Sequence, residues 1–269
     1  MAPRCVILAG GRGTRISEES HLRPKPMIEI GGRPILWHIM KIYDHFGVDE
    51  FVICLGYRGY LIKEYFLNYY LHSSDVTVDL GGNAVTYHDT RSEPWKVTLV
   101  DTGDATQTGG RLLRVRKYLD GGAVDGGAGG GGEPFLLTYG DGLADVDVAA
   151  QLEFHRSHGR LATMTVVQPP ARFGRSVVDG DRVVEFGEKV PAGRASVNGG
   201  FFVLSPGVFD LIDGDASVWE REPLERLVAQ DELRAWAHDG FWQPMDTLRE
   251  KELLDSLWEG TQAPWKLWD

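Results

Sequence analysis

The residues best suited to chemistry form a glycine-rich, cationic segment that directly follows a short apolar run, Cys5–Ala9. The segment reads Leu8-Ala-Gly-Gly-Arg-Gly-Thr-Arg15, and Arg23-Pro-Lys25-Pro follows it closely. Its glycines let the backbone approach a ligand and direct N–H groups at anionic oxygens, while the arginines and Lys25 add positive charge. The spacing matches neither a P-loop nor a dinucleotide fingerprint. A phosphate-binding loop is favoured over a plain glycine turn, because ligands of open α/β sheets bind at the carboxyl ends of strands.

Two carboxylates are candidates for a metal site. Asp141 lies between Gly140 and Gly142 at the end of another apolar run, and Asp246 lies far along the chain in Gln243-Pro-Met-Asp-Thr247. A carboxylate beside bound phosphates is a typical Mg²⁺ ligand. Turn chemistry alone also favours Asp-Gly, so neither residue assigns a metal by itself.

Other polar groups carry weaker signals. Glu188-Lys189 offers an acceptor beside a cation, although such a pair at a strand end is more often solvated charge than a site. Asn198 beside two glycines presents an amide suited to a sugar hydroxyl, although a simple bend also explains it. His155 and His158 are three residues apart on a predicted helix, but no third metal ligand accompanies them. Asp101 and Asp104 are interpreted as turn formers.

The elements that must position these residues alternate along the chain. Apolar runs typical of strands buried on both faces alternate with segments of helical periodicity. The predicted strands are 5–9, 51–55, 98–100, 135–139, 162–167 and 201–204. The predicted helices are 34–43, 60–71, 112–119, 147–158, 208–212 and 223–230. This alternation predicts an α/β fold, with a Rossmann-like mixed, mostly parallel sheet flanked by helices.

Three further segments complete the predicted organisation. Asp179-Gly180 between two apolar runs predicts a β-hairpin over 176–186. Eight of the twelve residues at 121–132 are glycine, which is typical of a flexible surface linker. Five tryptophans between residues 236 and 268 indicate docking onto the domain or a subunit interface. We therefore expect one domain over 1–269, with 221–269 as a helical, Trp-rich C-terminal wrap.

Composition and charge exclude broad classes of function. Thirty-nine acidic against 28 basic residues give a net charge of −11, which argues against a general binder of nucleic acid or membranes. The first apolar run is too short for a signal peptide, and no stretch approaches the roughly 18 apolar residues of a membrane span. The two cysteines, Cys5 and Cys54, lie in apolar runs and are expected to be reduced and inert. We therefore expect a cytoplasmic protein.

Taken together, these motifs resemble the sugar-1-phosphate nucleotidyltransferases, and the similarity runs nearly from end to end. The carrying residues are the 8–15 segment with Arg23-Pro-Lys25-Pro-Met, Gly140-Asp141-Gly142, Glu188-Lys189, Asn198-Gly-Gly and Asp246. Stretches 28–40, 93–103, 108–111 and 241–247 resemble the branch that uses CTP and glucose 1-phosphate. The resemblance implies the nucleotide-diphospho-sugar transferase fold and a Mg²⁺-dependent attack of the sugar phosphate on the α-phosphorus of CTP, which gives CDP-glucose and pyrophosphate.

The resemblance also assigns roles to residues. Catalysis falls to Arg15 and Lys25, and the metal to Asp141 and Asp246. The implied nucleotide-binding residues are Leu8, Ala9, Gly10, Gly11, Arg12, Gly13, Thr14, Arg15, Lys25, Thr106, Gly109, Gly110, Arg111 and Gly140. The implied residues for the sugar phosphate are Tyr139, Gly174, Glu188, Lys189, Asn198 and Gly199.

Two departures from the family pattern bear on sugar choice. Val190 stands where a proline usually follows the Glu-Lys pair, and Arg175 stands where a small residue is usual. The alternatives are the same chemistry with UTP, dTTP or another sugar 1-phosphate, and a catalytically silent sugar-nucleotide-binding subunit. The joint presence of Arg15, Lys25 and both carboxylates argues against the silent subunit. The resemblance and the Trp-rich tail also imply a homo-oligomer, and a hexamer is one form it could take.

Overall fold

The computed structural model describes residues 3–11, 13, 16, 23–119, 132–168, 196–260 and 263–268, together with the backbone of 175–179 and 182–187. All of the predicted linker at 121–132 except its last residue lies outside this description. The strands are β1 Cys5–Leu8, β2 Glu29–Ile30, β3 Arg33–Pro34, β4 Glu50–Leu55, β5 Ser74–Asp79, β6 Ala84–Thr90, β7 Lys96–Asp101, β8 Phe135–Tyr139, β9 Gly142–Ala144, β10 Ala162–Val167, β11 Arg175–Asp179, β12 Arg182–Gly187, β13 Val197–Leu204, β14 Leu233–His238 and β15 Trp242–Pro244. The α-helices are α1 Ile35–His45, α2 Gly59–Leu67, α3 Tyr69–His72, α4 Thr108–Val115, α5 Val148–His158, α6 Glu222–Ala229 and α7 Leu248–Glu259.

A seven-stranded sheet in the order β14-β10-β13-β8-β1-β4-β7 organises the described chain. Neighbouring strands run parallel except at β13, which is antiparallel to both β10 and β8. Ile7 at the centre pairs with Ile53 on one side and Thr138 on the other. The predicted mixed, mostly parallel sheet is therefore confirmed, and the carboxyl ends of β1, β4, β7 and β8 meet at one edge.

The sheet is buried on both faces, which explains the continuous apolar runs of its central strands. Helices α1 and α7 cover one face, where Ile7, Ile53 and Leu136 are buried. Helices α4 and α6 cover the other face, where Val6, Val52 and Leu137 are buried. Cys5 and Cys54 lie in these strands as free, buried thiols, and burial raises the pKa of Cys54 to about 12.

Helix positions differ from prediction where local contacts compete with periodicity. The predicted helix 60–71 is interrupted at Asn68, whose side-chain amide donates to the Glu64 carbonyl at 2.8 Å. Helix α4 begins at Thr108, four residues before the predicted start. It includes Gly109 and Gly110 because a Cβ at either position would lie within 3 Å of the chain at Asp215 or Ser217. Packing against that loop thus outweighs the low helix propensity of glycine.

Besides the short ladders β2–β3 and β9–β15, two larger features were not predicted from the sequence. The β5–β6 hairpin is exposed along almost its whole length, and its apolar alternation is short: Val76 and Val78 in β5, and Val85 and Tyr87 in β6. So short an alternation is a weak strand signal. Strand β14 lies within the segment expected to be helical, and it pairs in parallel with β10 at the edge of the main sheet. The hairpin predicted over 176–186 is confirmed as the antiparallel pair β11–β12.

The Trp-rich tail packs onto the domain. Trp265 is fully buried, and the ring of Trp258 lies 4.6 Å from that of His38 in α1. The His38 ring is within hydrogen-bonding distance of the Ile30 carbonyl, with Nε2 at 2.9 Å. Every helix in the described ranges is too short or too polar to span a bilayer.

Candidate active site

A cleft of about 700 Å³ opens at the carboxyl ends of β1, β7 and β8. Many of the predicted site residues border it. These are Leu8, Ala9, Gly10, Gly11, Gly13, Lys25, Thr106, Arg111, Tyr139, Gly140, Asp141 and Asp246. The switch of strand order at β1, where one parallel neighbour is β4 and the other β8, makes this the expected ligand position in an open α/β sheet.

The glycine loop after β1 is held by its own carbonyl groups. The Gly10 carbonyl accepts hydrogen bonds from Tyr57 N at 3.2 Å and from Arg111 Nη2 at 3.1 Å. Gly13 has a φ of +60°, a conformation that glycine adopts without strain. With its carbonyls engaged in the protein, the loop follows the edge of the cleft at Gly10, Gly11 and Gly13.

Arg111 serves first as an anchor of this loop. Its side chain is almost fully buried and also donates to the Leu55 carbonyl at 2.9 Å and to Thr102 Oγ1 at 2.7 Å. Burial lowers the pKa of its guanidinium. These bonds join the ends of β1, β4 and β7, so Arg111 fixes the base of the cleft that the nucleotide was predicted to occupy.

Lys25 bridges the two predicted metal carboxylates. Its Nζ donates to Asp141 Oδ2 at 2.8 Å and to Asp246 Oδ1 at 2.7 Å. Lys25 begins a short 3₁₀ helix, Lys25–Met27, with Pro24 before it and Pro26 after it in the chain, and only 8% of Lys25 is exposed. Burial lowers the pKa of the ammonium group, but the two carboxylates outweigh burial and the pKa ends above its ordinary value. Lys25 is therefore charged at neutral pH.

A small β-ladder explains how carboxylates so distant in sequence meet. Strand β9 follows Asp141, strand β15 precedes Asp246, and the two strands pair antiparallel with Gly142 opposite Pro244. The Met245 N–H also donates to the Asp141 carbonyl at 2.8 Å. On the far side, Glu250 of the α7 capping box accepts the Asp246 N–H at 2.7 Å. Both carboxylates are thus fixed beside the cleft by backbone structure.

The donor set suits a hard divalent cation. The two carboxylates already share one cation, the Lys25 ammonium. Among the described residues, no group of three or more His, Cys, Asp or Glu side chains could hold a metal. Mg²⁺ typically binds one or two carboxylates and completes its shell with substrate phosphates and water. The pair therefore fits a metal that arrives with a phosphorylated substrate.

A smaller pocket of about 60 Å³ adjoins the cleft at Tyr139 and Asp141. Asn198 and Gly199, both predicted to bind the sugar phosphate, line it. The Asn198 Oδ1 accepts the Gly200 N–H at 2.8 Å, which fixes the amide beside the Tyr139 ring. Burial, together with the neighbouring Glu220 carboxylate, raises the pKa of Tyr139, so its phenol stays protonated.

Some predicted residues lie elsewhere, and some cleft residues were missed. Gly109 and Gly110 pack against the 215–217 loop and do not line the cleft. Six predicted residues lie outside the described ranges: Arg12, Thr14, Arg15, Gly174, Glu188 and Lys189. The missed lining residues are Pro26, Asp104, Ala105, Gln107, Thr108 and Glu220. Thr108 belongs to a stretch that carried the family resemblance, whereas nothing in the sequence around Glu220 marks it.

Among the residues interpreted as structural, Asp101 and the two histidines have structural contacts, whereas Asp104 lines the cleft. The Asp101 carboxylate accepts the Gly103 N–H at 2.9 Å and so forms the predicted turn. The two ring nitrogens of His155 lie 3.0 Å from hydroxyl groups of Thr163 and Ser205. His158 Nε2 lies 2.8 Å from the same Thr163 hydroxyl. This histidine pair therefore serves a hydroxyl network between α5 and the sheet.

Comparisons with known proteins agree with this geometry. A family model described as nucleotidyl transferase matches residues 4–242. The chain is 55% identical to glucose-1-phosphate cytidylyltransferase of Salmonella typhi over 99% of this chain and 100% of the relative. It is 41% identical to probable glucose-1-phosphate cytidylyltransferase of Bacillus subtilis over 98% and 100%, respectively. The crystal structure of HddC from Yersinia pseudotuberculosis has the same fold, with a TM-score of 0.66 and 20% identity over 96% of this chain and 100% of that one.

Proposed function

The chain belongs to the nucleotidyl transferase family, and we propose that it transfers the cytidylyl group of CTP to glucose 1-phosphate, forming CDP-glucose and pyrophosphate. The observation that carries the proposal is the Lys25 ammonium held between Asp141 and Asp246, where the cleft meets the smaller pocket. Charge of both signs thus lies at the boundary between a space for a nucleotide and a space for a sugar. The choice of CTP rests on the full-length identity to the cytidylyltransferases.

The reaction requires no nucleophile from the protein. A phosphate oxygen of glucose 1-phosphate attacks the α-phosphorus of CTP and forms the new P–O bond. The bond between the α-phosphorus and the bridging oxygen breaks, and its electron pair leaves with pyrophosphate. Because all the bonding changes occur between substrates, the chain contributes positioning and neutralisation of charge.

Residues of the chain divide this work between the two spaces. The glycine-rich 8–15 segment is assigned to the triphosphate on the family resemblance, because backbone N–H groups of such a segment bind phosphate oxygens. Lys25 places a buried positive charge at the reacting phosphates, where low exposure strengthens its effect. Tyr139, Asn198 and Gly199 line the pocket assigned to glucose. Arg12, Thr14, Arg15 and Thr106 are assigned to the nucleotide and Gly174, Glu188 and Lys189 to the sugar phosphate, on the family resemblance.

Nucleotidyl transferases of this family generally use a divalent metal. We assign Mg²⁺ as that metal and Asp141 and Asp246 as the residues that hold it. When bound, it neutralises charge on the phosphate oxygens and lowers the barrier to attack. Lys25 donates to both carboxylates and holds them beside the cleft.

Two assignments extend beyond the reaction. We place the protein in the cytoplasm, which suits two free, buried thiols. We also propose a homo-oligomer. The exposed apolar side chains of the β5–β6 hairpin region support it: Val78, Leu80, Val85 and Tyr87.

The proposal is tested by measuring pyrophosphate release with each ribonucleoside and deoxyribonucleoside triphosphate, crossed with a panel of sugar 1-phosphates, with and without Mg²⁺. CTP with glucose 1-phosphate should give the highest kcat/KM, and chelation of the metal should abolish turnover. Release that is fastest with dTTP or UTP would overturn the choice of CTP. A lack of turnover with every pair would favour a silent binding subunit.

A further inference from the structure

Glu220, a residue that no sequence motif marks, contacts both sides of the cleft. It follows Trp219 in the turn before α6. One carboxylate oxygen accepts the Tyr139 hydroxyl at 2.5 Å, and the other accepts the Thr108 hydroxyl at 2.6 Å. Thr108 is the first residue of α4 and lines the cleft, whereas Tyr139 lines both the cleft and the smaller pocket. One carboxylate therefore connects the two substrate spaces.

The direction of these hydrogen bonds follows from the groups involved. An ionised carboxylate can only accept, so each hydroxyl must give its single proton to Glu220. Thr108 Oγ1 in turn accepts the Trp219 N–H at 2.9 Å, which leaves the Thr108 hydroxyl engaged within the protein. Tyr139 lines both the cleft and the smaller pocket, and the proton of its hydroxyl is already committed to Glu220. Towards a ligand, the phenol can therefore act only as an acceptor.

A second polar group of the pocket has the opposite polarity. The Asn198 Oδ1 accepts the Gly200 N–H, so the other end of this amide, its NH₂, acts as a donor. One of its two N–H groups serves the side-chain hydrogen bond to Tyr139, and the second is left for a ligand. Tyr139 and Asn198 line the same pocket. An acceptor beside a donor matches one chemical group in particular, a hydroxyl that donates to the first and accepts from the second. A phosphate oxygen could not donate to Tyr139.

We propose that Glu220 is a positioning residue which commits the Tyr139 proton and thereby makes the smaller pocket specific for a hydroxyl of the sugar. The inference rests on the proposed function, since it assumes that this pocket receives the sugar of a sugar 1-phosphate. It adds a role for a residue outside the predicted site. Without the carboxylate, the phenol regains its proton as a donor, and the pocket no longer distinguishes a hydroxyl from a group that only accepts.

The test uses glucose 1-phosphate and its 2-, 3-, 4- and 6-deoxyfluoro analogues, because fluorine is close to a hydroxyl in size but cannot donate. With the wild-type protein, one analogue should lose on the order of 10- to 100-fold in kcat/KM, the typical effect of leaving a buried acceptor unpaired. For Glu220→Ala and for Tyr139→Phe, the loss at that same position should shrink to within about threefold of the parent sugar. Glu222→Ala, an exposed carboxylate two residues away, is the matched control and should keep the wild-type pattern.

Each part of the inference can fail separately. A wild-type protein that treats every fluoro analogue like glucose 1-phosphate would contradict the hydroxyl-specific pocket, while its turnover of glucose 1-phosphate would leave the proposed function intact. Full discrimination in Glu220→Ala would show that Glu220 does not set the polarity. Full discrimination in Tyr139→Phe would remove Tyr139 as the acceptor. Thermal unfolding of each variant, compared with wild type, reports whether the fold is retained.

Discussion

Lys25 and Asp141 form an ion pair, with Nζ 2.8 Å from Oδ2, although 116 positions separate them in the chain. The Lys25 side chain is 10% exposed, whereas that of Asp141 is 38% exposed towards the cleft. A buried cation thus neutralises a carboxylate that remains accessible to a ligand. The pair is suited to a site in which a second cation and phosphates arrive together.

Replacement of Lys25 by alanine should lower kcat by about 1,000-fold, because one preorganised charge at the reacting phosphates is lost. Initial rates with saturating CTP, glucose 1-phosphate and Mg²⁺ measure the effect. Lys96→Ala is a matched control, since that side chain is 72% exposed and pairs with Glu50 at the edge of the sheet. A Lys25→Ala protein with wild-type kcat would remove this residue from the mechanism.

Asp141→Asn and Asp246→Asn should each lower kcat by at least about 100-fold and raise the Mg²⁺ concentration needed for half-maximal rate. The amide keeps the shape of the side chain but removes the charge that a hard cation prefers. A magnesium titration of the initial rate separates the two effects. Asp79→Asn, in the exposed hairpin, should titrate like wild type. If both active-site variants also retained the wild-type magnesium curve, these carboxylates would not hold the metal.

Gly10→Ala should destabilise the fold by about 2 kcal/mol, since the Arg111 guanidinium must give up hydrogen bonds to make room. A Cβ at Gly10 would lie 2.1 Å from Arg111 Nη1, whereas one at Gly11 would meet nothing within 4 Å. Gly11→Ala is therefore the matched control and should change stability by no more than about 0.5 kcal/mol. Denaturant unfolding monitored by circular dichroism measures both. Equal stabilities of the two variants would contradict the anchoring role of Arg111.

Stability should fall as the pH is lowered from about 6.5 towards 4, through His38. Burial lowers the pKa of His38 from 6.5 to about 4. Between these values the unfolded chain binds a proton that the folded protein does not, so acid favours unfolding by up to on the order of 3 kcal/mol. Melting temperatures across this range should fall less steeply in His38→Gln, although that variant begins less stable at neutral pH. Some pH dependence remains, because burial also lowers the pKa of His155 to about 4. An unchanged slope would mean that other groups dominate the acid response.

Structural elements could be predicted from the sequence where a single local pattern determines them. The apolar runs at Cys5 and Phe135 predicted buried parallel strands, and the residues directly after them predicted two parts of the cleft. The exposed hairpin at Ser74 and the edge strand at Leu233 were missed, because their positions depend on tertiary pairing and not on burial of a continuous run.

The site was predictable to a similar degree. Glycines and carboxylates at strand ends could be recognised as candidate site residues from their type alone. The family resemblance assigned Asp141 and Asp246 to the same metal. Arg111 was expected at the nucleotide, and only its bonds to Leu55, Thr102 and Gly10 reveal its anchoring contacts. Glu220 was missed because its significance comes from two hydroxyl partners that lie 81 and 112 positions away. Such a contact leaves no trace in local sequence.

The central claim is tested most directly by following the reaction of CTP with glucose 1-phosphate labelled with ¹⁸O in its phosphate, using ³¹P nuclear magnetic resonance. Attack by the sugar phosphate on the α-phosphorus predicts CDP-glucose with ¹⁸O in the bridge between its phosphorus atoms and pyrophosphate without label. Pyrophosphate released without CDP-glucose, or label recovered in pyrophosphate, would contradict the account.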